Sequence, residues 1–316
     1  MKAVMLHNYG GNEQISIENT AEPGLQRGEV LIRVHAASVN PVDWKVRNGM
    51  ARIFTGSRFP KVLGVECSGE IVDVGSGAAK FTKGDAVIGY AGARHLGAYA
   101  EYVALPESTV FFKPHNLSFE EASTLPIAGL TALQSLRDHG KIAAGKQVLI
   151  NGAAGGVGHF AVQIAKVFGA HVTAVCSSRN IDFAKGLGAD AVIDHTKEDF
   201  TQGSMRYDLI FDAVSMRSFK ECGKVLVPHG VYVNTLPNRT IIDQIITAFL
   251  PGRKARSMWV RPKEADMEWM KEKIEAGRIR VVLDRVVPLE QVKEAFAYSE
   301  SGRVRGKVVL NVIPAA

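Results

Sequence analysis

At 316 residues the chain is longer than a single hydrophobic core normally grows, so two domains are expected. Apolar residues make up 46% and charged residues 22%, ordinary values that exclude disordered and fibrous classes, and no apolar run approaches the ~20 residues of a membrane span. The formal charge of +6 comes from Lys and Arg interleaved with Asp and Glu, a mildly basic surface that suits a phosphorylated cofactor better than nucleic acid.

Residues 1 to about 112 carry short apolar stretches punctuated by Gly, Pro and Asn, among them Glu29 to Val39, Gly69 to Val74 and Ala98 to Ala104, which predicts strands joined by turns. At Ser118 the period changes: Ser118 with Glu121 three residues on forms a capping box, opening a helix predicted over Phe119 to Leu136. From Lys146 strands alternate with helices. The strands are read at Val148 to Asn151, His171 to Val175, Ala191 to Ile193, Leu209 to Asp212, Val231 to Asn234 and Ser257 to Val260. Such alternation implies an α/β architecture with a doubly wound parallel sheet, because each crossover helix returns the chain to the same end of the sheet. The tail adds helices over Ala265 to Ala276 and Leu289 to Tyr298 and a strand from Lys307 to Val312.

The most informative stretch is KQVLINGAAGGVGHFAVQIAKVFGAHVTAVCSSRN. A strand ends at Asn151, a glycine-rich turn follows, an amphipathic helix runs from Gly156 to Phe168, and a second strand begins at His171. Ala153, Gly155 and Gly158 occupy the three glycine positions of the dinucleotide fingerprint, with Gly156 and Val157 between them. The pyrophosphate is expected at the positive end of the helix. NAD-preferring sites place an acid about 20 positions on, to hold the ribose 2′-hydroxyl. Here that place falls on Ser177, followed by Ser178 and Arg179. Hydroxyl and guanidinium groups suit a 2′-phosphate that an acid repels, so the expected cofactor is NADPH.

The start, MKAVMLHNYG, carries a charge without the apolar core of an export signal, and Cys67, Cys176 and Cys222 are far apart with one necessarily unpaired. Both features point to the cytoplasm. The histidines are scattered and form no cluster with cysteine at metal-site spacing, so no metal is expected.

The blocks SVNPVDWKVRNG, PKVLGVECSGEIVDVGSG, GDAVIGY, GAYAEYVALP, LSFEEASTLPIAGLTALQSL, NGAAGGVGHFAVQIAK and RGKVVLNV span nearly the whole chain. In this order they resemble the zinc-free quinone oxidoreductase branch of the medium-chain dehydrogenase/reductases, close to bacterial and plant quinone oxidoreductase homologues and alkenal/one oxidoreductases. The resemblance implies a GroES-like β-barrel catalytic domain (1–118), a Rossmann NADP-binding domain (119–261) and a return to the first domain (262–316), with a cleft between the domains and a homodimer formed through the edge of the Rossmann sheet. Where zinc-dependent relatives carry a Cys and a His-Glu pair, this chain has Asn40 and Val65-Glu66, which cannot supply thiolate and imidazole. By the same resemblance Asn40 and Thr131 flank the nicotinamide, Gly155, Gly156 and Val157 the pyrophosphate, and Ser177 with Arg179 the 2′-phosphate, while Lys307 closes over the cofactor. Lys45 stands where many quinone oxidoreductases have Tyr, and a cation there favours a developing oxyanion.

Without a metal to polarise an alcohol, an activated acceptor is the better substrate: hydride passes from NADPH to a quinone or to the C=C of an α,β-unsaturated carbonyl. Asn40, Lys45 and Tyr90 are the candidate catalytic residues. Two alternatives are a zinc-dependent alcohol dehydrogenase, marked by stoichiometric zinc, and a non-catalytic NADPH-binding partner protein, marked by binding without turnover. The cofactor assignment is checked by Arg179→Ala, which should weaken NADPH far more than NADH in calorimetry; equal losses would remove Arg179 from the 2′-phosphate role.

Overall fold

A computed structural model describes residues 1–313. The first strands in chain order are β1 (Lys2–Leu6), β2 (Ile15–Asn19), β3 (Glu29–Val39), β4 (Lys61–Val62), β5 (Glu66–Val74), β6 (Ala86–Tyr90), β7 (Tyr102–Pro106) and β8 (Val110–Phe112). They are followed by β9 (Gln147–Asn151), β10 (His171–Cys176), β11 (Ala191–Asp194), β12 (Tyr207–Asp212), β13 (Leu226–Asn234) and β14 (Lys254–Ser257), and last by β15 (Leu283–Pro288) and β16 (Lys307–Asn311). The described chain divides into two units, one holding residues 1–127, 262–275 and 281–313, the other 128–261 and 276–280.

The first unit is organised by β3. Val30, Ile32 and Val34 alternate with less buried neighbours, as one face of a strand requires, and burial then becomes continuous to Val39. The change follows from what covers the strand: helices 119–122 and 292–300 both pack against β3. Along one edge β3 pairs with β5 throughout; along the other it pairs first with β7 and then, from Ala36 to Val39, antiparallel with β16. The tail thus completes the sheet built on β3. A smaller sheet, in the order β2-β1-β4, adds to this unit. Its core includes Leu63, Val65, Ile71, Val87, Tyr99, Leu105 and Phe296, all within 1% of full burial.

The second unit is a six-stranded sheet in the order β11-β10-β9-β12-β13-β14, every pairing parallel. Val148, Leu149 and Ile150 of its central strand are fully buried, the continuous apolar run of a strand covered on both faces. From β9 the chain moves outward through β10 to β11, then crosses to β12 on the other side of β9. This is the Rossmann order, and its switch point lies between β9 and β12, where such sheets bind their ligands beyond the carboxyl ends of the strands.

Three expected elements differ. The helix read over Phe119 to Leu136 is broken into α-helix at Phe119–Ala122 and Leu130–Gln134 and π-helical turns at Leu125–Gly129 and Ser135–His139. Pro126 lacks the amide N–H that a regular helix needs, and the Ser123 and Thr124 hydroxyls close the first turn by donating to Glu120 O and Glu121 O at 2.8 Å. The strand read over Ser257 to Val260 instead spans Lys254–Ser257, because its partner β13 ends at Asn234, opposite Ser257. The strand read over Ala98 to Ala104 begins at Tyr102, with a single bridge from Ala100 to Ala3 before it.

Candidate cofactor and catalytic site

In the second unit β9 delivers the chain to a turn at residues 152–157, and the helix Gly158–Val167 leaves it. A Cβ at position 158 would stand 2.0 Å from Gly152 O and 2.8 Å from Ala153, so the helix start lies against the turn only with glycine there. Position 155 is different. A Cβ there meets nothing nearer than Gly152 O at 3.5 Å, an ordinary contact, so the chain itself does not demand glycine and a ligand approaching the backbone would. The missing first glycine also has an explanation: the left-handed residue of the turn is Gly152, with φ of 82°, whereas Ala153 is buried and its N–H donates to Val175 O at 3.1 Å. The turn sits at the switch point. There Asn151 Nδ2 donates to Asp212 Oδ1 at 2.9 Å, joining the ends of β9 and β12. An open glycine backbone at a helix N-terminus is a fit for a dinucleotide pyrophosphate.

Ser177, half-buried, and Ser178 and Arg179, both exposed, follow the carboxyl end of β10. Their hydroxyls are not equivalent. Ser178 donates to the Asp194 carboxylate, which also accepts from the Thr196 hydroxyl at 2.7 Å; these bonds, the Ser178 one first, hold the Asp194 carboxyl at about 2. Ser178, expected as a cofactor ligand, therefore has its proton committed within the chain. The Ser177 hydroxyl instead accepts from Asn180 Nδ2 at 3.3 Å. Asp194 escaped the sequence reading because it ends β11, and only the pairing of Cys176 with Asp194 across the sheet brings it to this segment. Thr131, in the helix Leu130–Gln134 of the same unit, is 8% exposed.

In the first unit the ends of three strands converge. Asn40 follows β3, Glu66 begins β5 and Lys307 begins β16, and pairing of β3 with both neighbours brings them together. Lys307 Nζ donates to Asn40 Oδ1 at 2.6 Å, Glu66 Oε1 at 3.3 Å and Val39 O at 3.3 Å. Glu66 Oε1 also accepts from Asn40 Nδ2 at 2.6 Å and from the Ser38 hydroxyl, and Oε2 accepts from Ile127 N–H at 2.6 Å. Burial lowers the Lys307 ammonium from its ordinary value, an effect that the Glu66 charge opposes. Beside them, Asp43 is buried and accepts from Asn40 N–H at 2.8 Å; burial raises its carboxyl to about 7. The expectation that Lys307 closes over a cofactor is thereby revised: the ammonium is 3% exposed and its three protons are given to groups of its own unit.

Tyr90 ends β6 opposite Glu66 and is half-buried, and burial, then the Glu66 charge, raises its phenol. Lys45 lies in the helix Pro41–Arg47, its Nζ 5.3 Å from the centre of the Trp44 ring. Among the described residues no three His, Cys, Asp or Glu side chains are grouped to hold a metal ion. Cys67, Cys176 and Cys222 are all free and buried.

Two family models match: "Alcohol dehydrogenase GroES-like domain" over residues 26–115 and "Zinc-binding dehydrogenase" over residues 187–310. The chain is 32% identical to a chloroplast envelope quinone oxidoreductase homolog of Arabidopsis thaliana, over 98% of both sequences. The solved structure of the quinone oxidoreductase from Coxiella burnetii superposes with a TM-score of 0.91 at 33% identity over 99% of both chains. The chain belongs to the quinone oxidoreductase branch of the medium-chain dehydrogenase/reductase superfamily. An NADPH-dependent alkenal/one oxidoreductase of Arabidopsis thaliana is also similar, 34% identical over 99% of this chain and 80% of that protein. In this quinone oxidoreductase homologue the two glycines of the turn have separable duties. Gly155→Ala should leave the melting temperature within a few degrees while weakening NADPH at least about tenfold in calorimetry, whereas Gly158→Ala should lower both. A Gly155→Ala protein that binds NADPH as the parent does would disconnect the turn from the cofactor.

Proposed function

We propose that the protein is an NADPH-dependent reductase that delivers hydride to quinones or to the activated C=C of α,β-unsaturated carbonyls without zinc. The observation that carries the reading is the glycine turn at the β9/β12 switch point followed, at the end of β10, by Ser177 and Arg179 in place of an acid. The branch to which the chain belongs and its alkenal/one relative support the choice of acceptor.

NADPH supplies the hydride when bound. The amides of Gly155, Gly156 and Val157 and the N-terminus of the helix 158–167 hold the pyrophosphate, with Ala153 and Gly158 shaping the turn. Ser177 and Arg179 take the 2′-phosphate, with Ser178 held aside by Asp194. Asn40 and Thr131 border the nicotinamide. With the cofactor bound, Lys45 and Tyr90 would orient the acceptor's oxygen, the atom on which negative charge would develop, and water would supply the proton. Asn40 and Val65, at the places where zinc-dependent relatives carry ligands, support chemistry without a metal. A panel of quinones and enones assayed with NADPH and NADH should show turnover favouring NADPH by at least about tenfold in kcat/KM, insensitive to chelators, with substoichiometric zinc in the purified protein. Stoichiometric zinc with alcohol oxidation would replace this reading by the alcohol dehydrogenase one, and binding without turnover by the partner-protein one.

The protein acts as a homodimer in this reading. Supporting it, β14 is an edge strand, and the neighbouring helix Pro237–Phe249 exposes Ile241, Ile242, Ile245, Ile246 and Phe249, an apolar stripe unusual on a monomer's surface. Free, buried cysteines support a reducing compartment such as the cytoplasm. Sedimentation should give a dimer that Ile245→Asp shifts toward monomer; a wild-type monomer at micromolar concentration would refute the assembly.

A further inference from the structure

Two full charges lie in the interior of the first unit, Glu66 with no exposed surface and Lys307 with 3%. Burying such a pair costs several kcal/mol of lost hydration per ion, and apolar residues of similar size usually serve stability as well or better. What the pair does that apolar residues cannot is read the two ends of an amide. An ammonium has only protons to give and a carboxylate only lone pairs to offer. Asn40 lies between them with Oδ1 on Lys307 and Nδ2 on Glu66, both at 2.6 Å. The reverse orientation sets N–H against an ammonium and a carbonyl against a carboxylate. A second strut reaches the chain ahead of Thr131: Glu66 Oε2 holds the Ile127 amide, inside the π-helical turn Leu125–Gly129.

We propose that Glu66 and Lys307 are positioning residues that fix the Asn40 amide in one orientation, carbonyl oxygen toward the ammonium and nitrogen toward the carboxylate. The pair makes no contact with the transferred hydride. It acts through Asn40, and its bearing on turnover rests on the reading above in which Asn40 borders the nicotinamide. Misplacing such a group is costly even when the fold persists, with losses of about 10- to 100-fold typical for residues that orient a working side chain. Cofactor affinity, set by the turn at residues 152–158 and by Ser177 and Arg179, is independent of the pair.

The test compares Glu66→Gln, Lys307→Met and the double variant with the parent. Each single change strands one buried charge and should lower the melting temperature; the double change removes both and should recover most of it. With the preferred acceptor, kcat should stay about 10- to 100-fold down in the double variant, while the NADPH Kd from calorimetry stays within about threefold of the parent. A double variant that recovers kcat along with its melting temperature would make the pair merely structural and overturn the proposal, as would failure of all three variants to fold. A second readout does not need turnover. In protein labelled with ¹⁵N-asparagine, the Asn40 side-chain amide, assigned by its loss in Asn40→Ser, should move in every variant that folds; an unmoved signal overturns the proposal. A parent protein that reduces no acceptor would defeat the functional reading while the amide signal still decides the orientation.

Discussion

A carboxylate without water must find donors within the chain, and Glu66 finds four of them on three separate segments. Ser38 and Asn40 come from the end of β3, Lys307 from the start of β16 and Ile127 from the turn that precedes the second unit. Withdrawing Lys307 would strand the charge, at a cost of about 3–5 kcal/mol for a broken buried pair, and withdrawing any other segment would leave the carboxylate short of a donor. The requirement explains several features of the first unit together. The tail returns to pair with β3, β3 is continuously buried over the part that carries these groups, and the helix begun at Ser118 gives way at Pro126 to a turn whose amide points at the carboxylate.

The second unit meets its constraint by shape instead of charge. The helix 158–167 lies against the turn because position 158 carries no side chain, and that contact leaves Gly155 open at the switch point of the sheet. The duties are divided among neighbouring positions: left-handed backbone at Gly152, close packing at Gly158, open access at Gly155. An alanine at 153 is therefore compatible with a working cradle, and the three-glycine fingerprint overstates what the geometry needs.

How much of this was legible in the amino-acid sequence depended on how local the deciding interaction is. The β9–turn–helix–β10 unit was readable because strand period, glycine spacing and helix period all act within a few dozen residues. The capping box at Ser118 was local too, and both of its hydrogen bonds form. The length of the helix beyond it was misread, since helical spacing of apolar residues continues through Pro126 although the backbone ladder does not. Long-range pairings were invisible to periodicity. The place of β16 beside β3 was expected only through a family resemblance, and neither the grip of Asp194 on Ser178 nor the clasp of Lys307 and Glu66 around Asn40 has a sequence signal of its own. Each depends on which strands become neighbours.

The cysteines complete the chemical picture. Quinones and enones are soft electrophiles that add to thiolates, so a protein that turns them over is exposed to alkylation by its own substrates. Burial raises the Cys67 thiol to about 12 and Cys176 to about 11 and drives Cys222 upward as well, and all three are sequestered from solvent. Almost no thiolate is on offer at neutral pH. The hydrophobic packing that builds the two cores thereby doubles as chemical armour, sparing the catalyst from the compounds it is built to quench.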